Sequence, residues 1–336
     1  MGNQLHNLLS CLCFAAIIIV NGCARSAIVP GAKIIKVDQG VAHTSYERQR
    51  LSLSDDESLF GAAAIYKLTN TEVLFFMLSG DYCFRYRDLA KEGTVGILRR
   101  GNGPDEMPGA LPCSIWSEGE GQLFFSAYSI ETGTYVEIDL SGSLTAGKTI
   151  VTSKTSLPAT TFYAHRVGDG IGCYVFSHSQ ELSWKRIRDG EIQEEWEPFN
   201  TEGLNPQEQF FAGTAVSADG KYLVMGMTAF PRLYIFDLET GRKLAVAPDM
   251  HGDAQVRAYL QKNLHPQKEY YNGVVIEGDK VCAMYLDPAP SIQVFDFEGK
   301  LLNIIDIPDM LANFIVVDGA IIGITMDGEV FRYEEK

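Results

Sequence analysis

The sequence predicts an all-β protein, a six-bladed β-propeller of four-stranded blades, and three observations lead to this prediction. The composition is rich in turn and strand residues, with 32 Gly and 13 Pro beside 15 Tyr and 18 Phe, which favours many short strands over a helical bundle. A short strand motif that ends in an acidic residue recurs about every fifty residues. Asp-Gly pairs, which suit tight hairpins, flank many of the apolar runs.

The recurring motif gives the number of blades. Its acidic residues are Asp88, Asp139, Asp189, Asp237, Asp296 and Glu334. They are separated by 51, 50, 48, 59 and 38 residues. One unit of this size cannot bury its own faces, so the period indicates six units that stack around one axis. A pair of β-sandwich domains is the alternative, but no Gly-, Ser- or Pro-rich linker divides the chain.

The two irregular intervals have separate explanations. The 59-residue interval contains an amphipathic pattern over residues 253–264, followed by Pro266, which predicts one short inserted helix. The last interval of 38 residues lacks about one strand. Residues 31–37 could supply this strand by pairing with the last blade, so that the N-terminal strand of the mature chain closes the ring.

The N-terminus has the features of a signal peptide. Residues 1–22 contain no Asp, Glu, Lys or Arg, and the apolar run of residues 8–20 covers 13 residues. As a helix this run would measure about 20 Å, which is too short for a bilayer core of about 30 Å. The sequence therefore predicts a signal peptide over residues 1–22 and no spanning segment.

The signal peptide ends in Val20-Asn21-Gly22-Cys23, which resembles the bacterial lipoprotein box. The resemblance implies cleavage before Cys23 and acylation of this cysteine with palmitate. Residues 23–32 would then form a lipidated tether, and residues 33–336 the propeller. A plain secretory signal or a buried strand is the alternative. Lipid alone would hold the protein at the outer membrane of the cell envelope, on its periplasmic or its surface side.

The remaining cysteines lie in apolar, strand-like settings. They are Cys83, Cys113, Cys173 and Cys282. No pair of them has the short spacing of a structural zinc site. The sequence predicts buried free thiols, although an exported compartment would also permit disulfides.

Two segments resemble a known family. Residues 82–88 are followed by Arg99-Arg100-Gly101-Asn102-Gly103-Pro104-Asp105-Glu106, and residues 281–286 are followed by the strand and turn of residues 292–300. Both are similar to the TolB-like six-bladed propeller lipoproteins of Bacteroidetes, and the resemblance covers roughly residues 33–336. It implies the fold but little about activity, because propellers serve both as enzymes and as binding proteins.

The loop of residues 99–106 is the most distinctive polar segment. It does not match a phosphate-binding loop, because it lacks the Lys motif and does not open a helix. Its charged residues are predicted to contact a ligand, and they are Arg99, Arg100, Asp105 and Glu106. The alternative is a connecting turn that Arg hydrogen bonds hold in place.

Paired aromatic residues precede several predicted blades. The pair Tyr270 and Tyr271 is predicted to lie at the rim and to stack on a sugar or a protein partner. Burial between blades is the alternative in a chain with 11% aromatic residues.

No reaction motif is present. The chain lacks Gly-x-Ser-x-Gly, and its histidines lack the spacing of a helical zinc pair. His251 and Asp253 come closest to a metal cluster, but they also fit the first turn of the predicted helix. No cofactor is therefore predicted. A calcium ion at the axis, held by oxygen ligands from different blades, is not excluded by the sequence.

The net charge completes the functional prediction. With 28 Lys and Arg against 43 Asp and Glu, the formal net charge is −15, which disfavours nucleic acid as a partner. The leading hypothesis is a non-enzymatic, lipid-anchored recognition or scaffold module, monomeric, for an envelope protein or glycan. The alternative is a calcium-dependent, lactonase-like hydrolase or lyase with its site in the central channel.

Overall fold

A computed structural model describes residues 27–38, 40–51, 59–119, 121–176, 182–250 and 252–336. In these ranges the chain is mostly strand and is organised as a β-propeller. The first two strands are β1 (Lys33–Lys36) and β2 (His43–Arg50). Three helices occur in the described ranges: α1 (Leu140–Ala146), α2 (Pro206–Gln209) and α3 (Asp253–Lys262).

The other strands follow one another in sheets of consecutive members. The first of these sheets contains β3 (Ala62–Lys67), β4 (Glu72–Met77), β5 (Tyr82–Asp88), β6 (Val95–Arg100) and β7 (Glu106–Met107). The second contains β8 (Leu111–Glu118), β9 (Gln122–Ser129), β10 (Thr134–Asp139) and β11 (Val151–Ser156). The third contains β12 (Thr161–Val167), β13 (Gly170–Phe176), β14 (Leu182–Arg188) and β15 (Glu191–Trp196).

The N-terminal strands complete the remaining two sheets. One contains β16 (Ala212–Val216), β17 (Tyr222–Met227), β18 (Leu233–Asp237) and β19 (Lys243–Ala247), with β1 as a fifth strand. The last sheet has eight strands: β20 (Tyr271–Glu277), β21 (Lys280–Tyr285), β22 (Ser291–Asp296), β23 (Leu301–Asp306), β24 (Leu311–Val317), β25 (Ala320–Thr325), β26 (Val330–Glu335) and β2. The propeller prediction is confirmed. The strand pairing of the described residues, however, gives five sheets, one of them with eight strands, instead of six separate four-stranded sheets.

The acidic residue of the recurring motif ends a strand for a local reason. In four of the six copies its carboxylate accepts backbone N–H groups of the following turn. Asp296 accepts from Glu298 at 3.0 Å and from Lys300 at 2.8 Å. Asp237 accepts from Thr240 at 2.9 Å in the same way. An Asp side chain satisfies turn donors that have no ladder partner. The recurring acidic residue in the sequence therefore reflects the hydrogen bonds that these turns require.

The Asp-Gly hairpins also form as the sequence predicts. Asp189 and Asp318 have φ angles of 53° and 50°, and the glycines that follow them, Gly190 and Gly319, have φ of 78° and 82°. Two consecutive residues at positive φ are what a type I′ hairpin turn requires. A β-branched residue at any of these positions would strain the turn.

The predicted closing strand is wrong in its identity. Residues 33–36 pair in parallel with β19, with Lys33 opposite Leu244. The strand that completes the last unit is β2, which comes ten residues later: Tyr46 to Arg50 pair antiparallel with β26, and His43 to Ser45 pair in parallel with β23. An outer strand needs only backbone partners, so the greater hydrophobicity of residues 33–36 did not identify the closing strand.

The helix expectation needs correction. One helix was expected over residues 253–264, but α3 ends at Lys262, and α1 and α2 also form. The lipidated tether over residues 23–32 stays a prediction; in its described part, Ile28 and Val29 are 0% and 1% exposed. Their apolar side chains join the core near Phe199, where burial outweighs chain freedom.

The prediction that the four thiols are free is confirmed, and the prediction that they are buried is confirmed for three of them. The four described cysteines are free, and Cys83, Cys173 and Cys282 are buried. Cys113 is half-buried, and its thiol donates to the Leu111 carbonyl oxygen at 3.6 Å.

Candidate functional site

The first strands of the units lie next to one another around the axis. Those that contact a neighbouring first strand are β3, β8, β12, β16, β20 and β24. Side chains near their beginnings connect neighbours: Asn272 donates to the Leu311 carbonyl oxygen at 2.9 Å, and the Ile65 amide donates to Asn313 at 2.8 Å. The first strands therefore begin at one end of the axis, which we call the mouth.

Strand direction alternates within each unit, so the connections divide between two faces. The mouth face carries the connections into each first strand and from each second to each third strand. In the described residues these are 59–61, 78–81, 101–110, 130–133, 157–160, 197–211, 228–232, 248–250, 252–270, 286–290, 307–310 and 326–329. The other connections between consecutive strands of a unit lie on the opposite face.

A pocket of about 510 Å³ opens on the mouth face. Its lining consists of Tyr163, Glu208, Phe211, Ala212, Gly213, Thr228, Ala229, Pro266, Lys268, Glu269 and Asn272. The beginnings of β12, β16 and β20 form its floor. Its walls come from α2 with the residues after it and from the segment that follows α3. This volume, called the mouth pocket below, suits a small ligand or one protruding side chain.

The walls of the mouth pocket are held by buried hydrogen bonds between the two helical segments. The side-chain amide of Gln209, which is fully buried, donates to the carbonyl oxygens of Leu260 and Asn263, both at 2.8 Å. The Tyr270 amide donates to the Thr228 carbonyl oxygen at 2.9 Å. These bonds make the pocket a preformed feature of the fold.

The mouth pocket combines aromatic surface with negative charge. Phe211 is 41% exposed and packs edge to face on Phe162, with ring centroids 5.3 Å apart. Glu208 and Glu269 are exposed at the wall. The nearby cation, Lys268, already has an anionic partner, because its Nζ lies 2.7 Å from Asp287 Oδ2. The local excess of charge is therefore negative.

His165 joins three inner strands below the mouth. Its Nδ1 lies 3.3 Å from the Cys113 carbonyl oxygen, and its Nε2 lies 2.9 Å from Thr214 Oγ1. A carbonyl oxygen only accepts, so Nδ1 carries the hydrogen and Nε2 accepts from the threonine hydroxyl. Burial lowers the pKa of His165 to about 4. The ring is a neutral structural bridge at physiological pH, not a general acid.

The His165 pKa predicts a loss of stability in acid. The unfolded histidine takes up a proton near pH 6.5 but the folded one only near pH 4, so the free energy of unfolding falls between these values by about 1.4 kcal/mol per pH unit. Urea titrations across this range should show a smaller slope for His165→Gln than for the wild type. Thr214→Val keeps the histidine and should keep the slope. An unchanged slope in His165→Gln would contradict the buried neutral ring.

The loop of residues 99–106 lies on the mouth face. Two of its four candidate residues, Arg100 and Glu106, form hydrogen bonds to the backbone. The Arg100 guanidinium donates to the Met77 carbonyl oxygen and to that of Pro108, the latter at 3.5 Å. The Gly103 amide donates to Glu106 Oε2 at 3.0 Å. Arg99 and Asp105 are exposed. The role of these four residues in binding stays a prediction.

The exposure assumed for Tyr270 and Tyr271 is wrong. Tyr270 is 3% and Tyr271 is 0% exposed. The Tyr271 hydroxyl donates to Gln293 Oε1 at 3.0 Å, and its ring lies 4.9 Å from that of Tyr285. Both rings pack between sheets, because burial of their apolar area stabilises the fold more than exposure at the rim would. Both lie beneath the mouth pocket wall, not on the surface.

Several residues of the mouth pocket escaped the sequence analysis. Tyr163, Glu208, Lys268 and Glu269 come from three separate connections or strands, and no motif joins them. An expectation that loops into first strands converge could have selected residues 206–211 and 265–270 as a group. Sequence alone gave no reason to prefer them to other connections.

A buried ionic contact lies beside the mouth pocket. Arg232, which is 0% exposed, places Nη2 3.9 Å from Asp253 Oδ1 at the start of α3. Asp253 Oδ2 accepts from the Ile28 amide at 3.0 Å. Burial lowers the pKa of Arg232, while the neighbouring Tyr234 and Asp253 oppose that shift. The contact ties the N-terminal segment to the mouth face.

The predicted signal peptide, the predicted lipidated cysteine and one candidate metal ligand fall in parts of the chain that the structure does not describe. Cys23, residues 1–22 and His251 lie outside the described residues. Within the described ranges, no group of three or more His, Cys, Asp or Glu side chains is arranged to hold a metal ion. The described part of the chain also contains no helix long and apolar enough to cross a bilayer.

Comparisons with known proteins extend the fold assignment. No protein-family model matches the chain, and no curated protein matches it either. Among solved structures, a calcium-binding protein, regucalcin from Agrobacterium tumefaciens, is 10% identical with a TM-score of 0.51, over 88% of this chain and 96% of that one. A candidate exported protein from Bacteroides fragilis is 13% identical with a TM-score of 0.52, over 90% and 100%.

These similarities, together with the sheet order, define the class: the chain is a β-propeller protein. At such identities the two solved structures share the fold with this chain, and the fold alone.

Proposed function

We propose that this chain is a non-enzymatic recognition or scaffold module of the cell envelope, which binds a protein or glycan partner at the mouth face. The single observation that supports this function is the mouth pocket of about 510 Å³. Its aromatic wall at Phe211 and its exposed carboxylates at Glu208 and Glu269 can stack on and hydrogen-bond to a ligand. Arg99 and Asp105 on the same face could extend the contact surface.

The architecture proposed with this function is six four-stranded blades. The eight-stranded sheet then counts as two blades: β20–β23 form one, and β24–β26 with β2 form the other. Strand β2 links the two blades into one sheet, because its first half pairs with β23 and its second half with β26. The proposed family is the TolB-like propeller lipoproteins of Bacteroidetes. The six acids of the recurring motif, each at or near the end of the third strand of a unit, support this count.

A binding experiment tests the proposed function. The full chain, purified in detergent micelles, is applied to a printed glycan array and to defined envelope peptides. Phe211→Ala and Glu269→Gln should each weaken the selected ligand about tenfold, because each removes one wall contact of the mouth pocket. Ile192→Ala, on an outer strand, is the matched control and should bind as the wild type does.

The enzymatic alternative predicts different results in the same preparation. Axial calcium at a hundredfold excess over its Kd would stabilise the fold by about 2.7 kcal/mol. A calcium-dependent rise in melting temperature, together with chelator-sensitive turnover of lactone, ester or glycan substrates, would replace the recognition proposal by a hydrolase or lyase.

The proposed anchor is lipid on Cys23, and it gives a separate prediction. Cys23→Ala should abolish palmitate incorporation and move the protein out of the outer-membrane fraction or leave it unprocessed, because lipid is the proposed hold on the membrane. Fractionation and labelling with a palmitate analogue measure this. Cys113→Ala is the control and should keep both properties. Labelling of the Cys23→Ala variant at the wild-type level would overturn the anchor.

A further inference from the structure

The exposed apolar side chains of the described residues are concentrated on one face. Eleven large apolar side chains are exposed, and seven of them lie in mouth-face connections. These seven are Phe60, Leu78, Ile130, Phe211, Leu264, Met310 and Met326. The other four lie in β1, β6, β15 and β23, and none lies in a described connection of the opposite face.

Several of the apolar side chains are highly exposed. Phe60 is 88% exposed, Leu78 67% and Met326 61%. Single exposed apolar residues are ordinary, but a set that recurs in loop after loop around one face indicates an interaction surface. Loops tolerate polar residues at such positions, so local folding gives no reason for the apolar ones.

The same face is strongly acidic. The described mouth-face connections contain fourteen Asp and Glu against four Lys and Arg. The described connections of the opposite face contain eight against five. Arg232, one of the four cations in the mouth-face connections, is fully buried, while Arg99 and Arg100, which end β6 at the same face, add two cations to it. The mouth-face connections therefore carry the larger excess of negative charge, although both faces belong to one acidic chain.

The combination selects one class of partner. A negative, apolar surface is repelled by anionic lipid headgroups and by phosphate backbones. It complements a protein surface that presents Lys or Arg beside apolar side chains, because opposite charge steers association and apolar contact holds the complex. A second copy of this chain would bring two acidic faces together, which disfavours self-association.

We propose that the mouth face docks a protein partner whose contacting segment is basic and amphipathic, with one Lys or Arg side chain entering the mouth pocket. This inference rests on the proposed recognition function and chooses a protein over a glycan. In the pocket, Glu208 and Glu269 supply the opposite charge, and the exposed Phe211 ring supplies a face for the cation and its alkyl stem. Lys268 does not oppose this, since Asp287 neutralises it.

Synthetic peptides of equal length provide defined probes. One alternates Lys with Leu, one has the same Lys residues with Ser, and one has Glu with Leu. The full chain is held in nanodiscs of zwitterionic lipid, and empty nanodiscs give the background. The Lys/Leu peptide should bind at least about tenfold more tightly than either of the others, and added salt should weaken it.

Paired variants locate the binding surface. Glu208→Gln with Glu269→Gln, and separately Leu78→Ser with Met326→Ser, should each weaken the Lys/Leu peptide by about tenfold. The matched controls are Asp189→Asn with Asp279→Asn on the opposite face, and Val95→Ser with Ile192→Ser on outer strands. They should change binding less than about twofold. Circular dichroism checks that each variant is folded.

The outcomes separate this inference from the proposed function. Equal binding of the Lys/Leu and Lys/Ser peptides, or equal losses in the control variants, would overturn the basic amphipathic partner. Glycan binding at Phe211 without peptide binding would also overturn it and leave the recognition function in place. A dimer that buries the mouth face in sedimentation would replace the partner by a second copy. Chelator-sensitive turnover would remove both proposals.

Discussion

Phe210→Ala should lower the free energy of unfolding by about 3 to 5 kcal/mol. Phe210 is 0% exposed, and its ring centroid lies 5.0 Å from that of Phe199 and 5.8 Å from that of Phe230. These rings belong to the core cluster that also receives Ile28 and Val29. Removal of the ring leaves a cavity between Phe199 and Phe230 in a packed core, and such a cavity collapses poorly.

The neighbouring residue is a matched control for Phe210. Phe211 is 41% exposed, and one ring contact with Phe162 accounts for its packing. Phe211→Ala should cost about 1 kcal/mol or less. Urea unfolding followed by tryptophan fluorescence and circular dichroism measures both variants. Equal shifts of the two midpoints would mean that the core assigned here does not hold the mouth face together.

The second large effect is expected at Asp253. Asp253→Ala should lower the free energy of unfolding by about 3 to 5 kcal/mol, because it leaves the Arg232 charge buried without its anionic neighbour. Arg232 is fully buried, and its Nη1 donates only to the adjacent Pro231 carbonyl oxygen, at 3.0 Å. The variant also removes the acceptor of the Ile28 amide.

A double variant separates the two causes. Arg232→Met fills a similar volume without charge, so Arg232→Met with Asp253→Ala should recover most of the stability that Asp253→Ala loses. Asp253→Asn keeps an acceptor for the Ile28 amide and removes only the charge. Urea midpoints measure all of these variants. If the double variant is no more stable than Asp253→Ala, the lost amide contact rather than the buried charge explains the effect.

Limited proteolysis gives an independent readout of the same contact. Ile28 is held by Asp253 and by the Asn200 amide, which donates to the Ile28 carbonyl oxygen at 2.8 Å. Asp253→Ala should therefore expose the segment of residues 27–32 to cleavage before the propeller itself unfolds. Asp253→Asn should protect this segment better than Asp253→Ala does.

The sequence by itself determined the strands, their turns and their repetition. Residues such as Asp237 and Asp296 recur because their carboxylates satisfy the backbone donors of the turn that follows the third strand. Asp-Gly at 189–190 and 318–319 fixes hairpins because these residues accept positive φ. These are local requirements, so they are visible in short stretches of sequence. The need for an N-terminal strand to close the ring followed from the short last interval.

Only the tertiary structure decided which N-terminal strand closes the ring. Residues 33–36 carry Ile34 and Ile35, which favoured them, whereas residues 43–50 are almost entirely polar. The outer position is decided by chain reach and by unpaired backbone groups on β26, and neither is encoded in a hydrophobic pattern.

Packing between sheets also decided the candidate site. Tyr270 precedes a first strand and Tyr271 begins it, and residues at such a position can be exposed at the rim. Here the neighbouring rings and Gln293 bury both side chains. Phe211, one residue from buried Phe210, is the ring that reaches the pocket. Residues more than fifty positions apart meet at the mouth because the ring closes, and only the closed ring fixes which connections share a face.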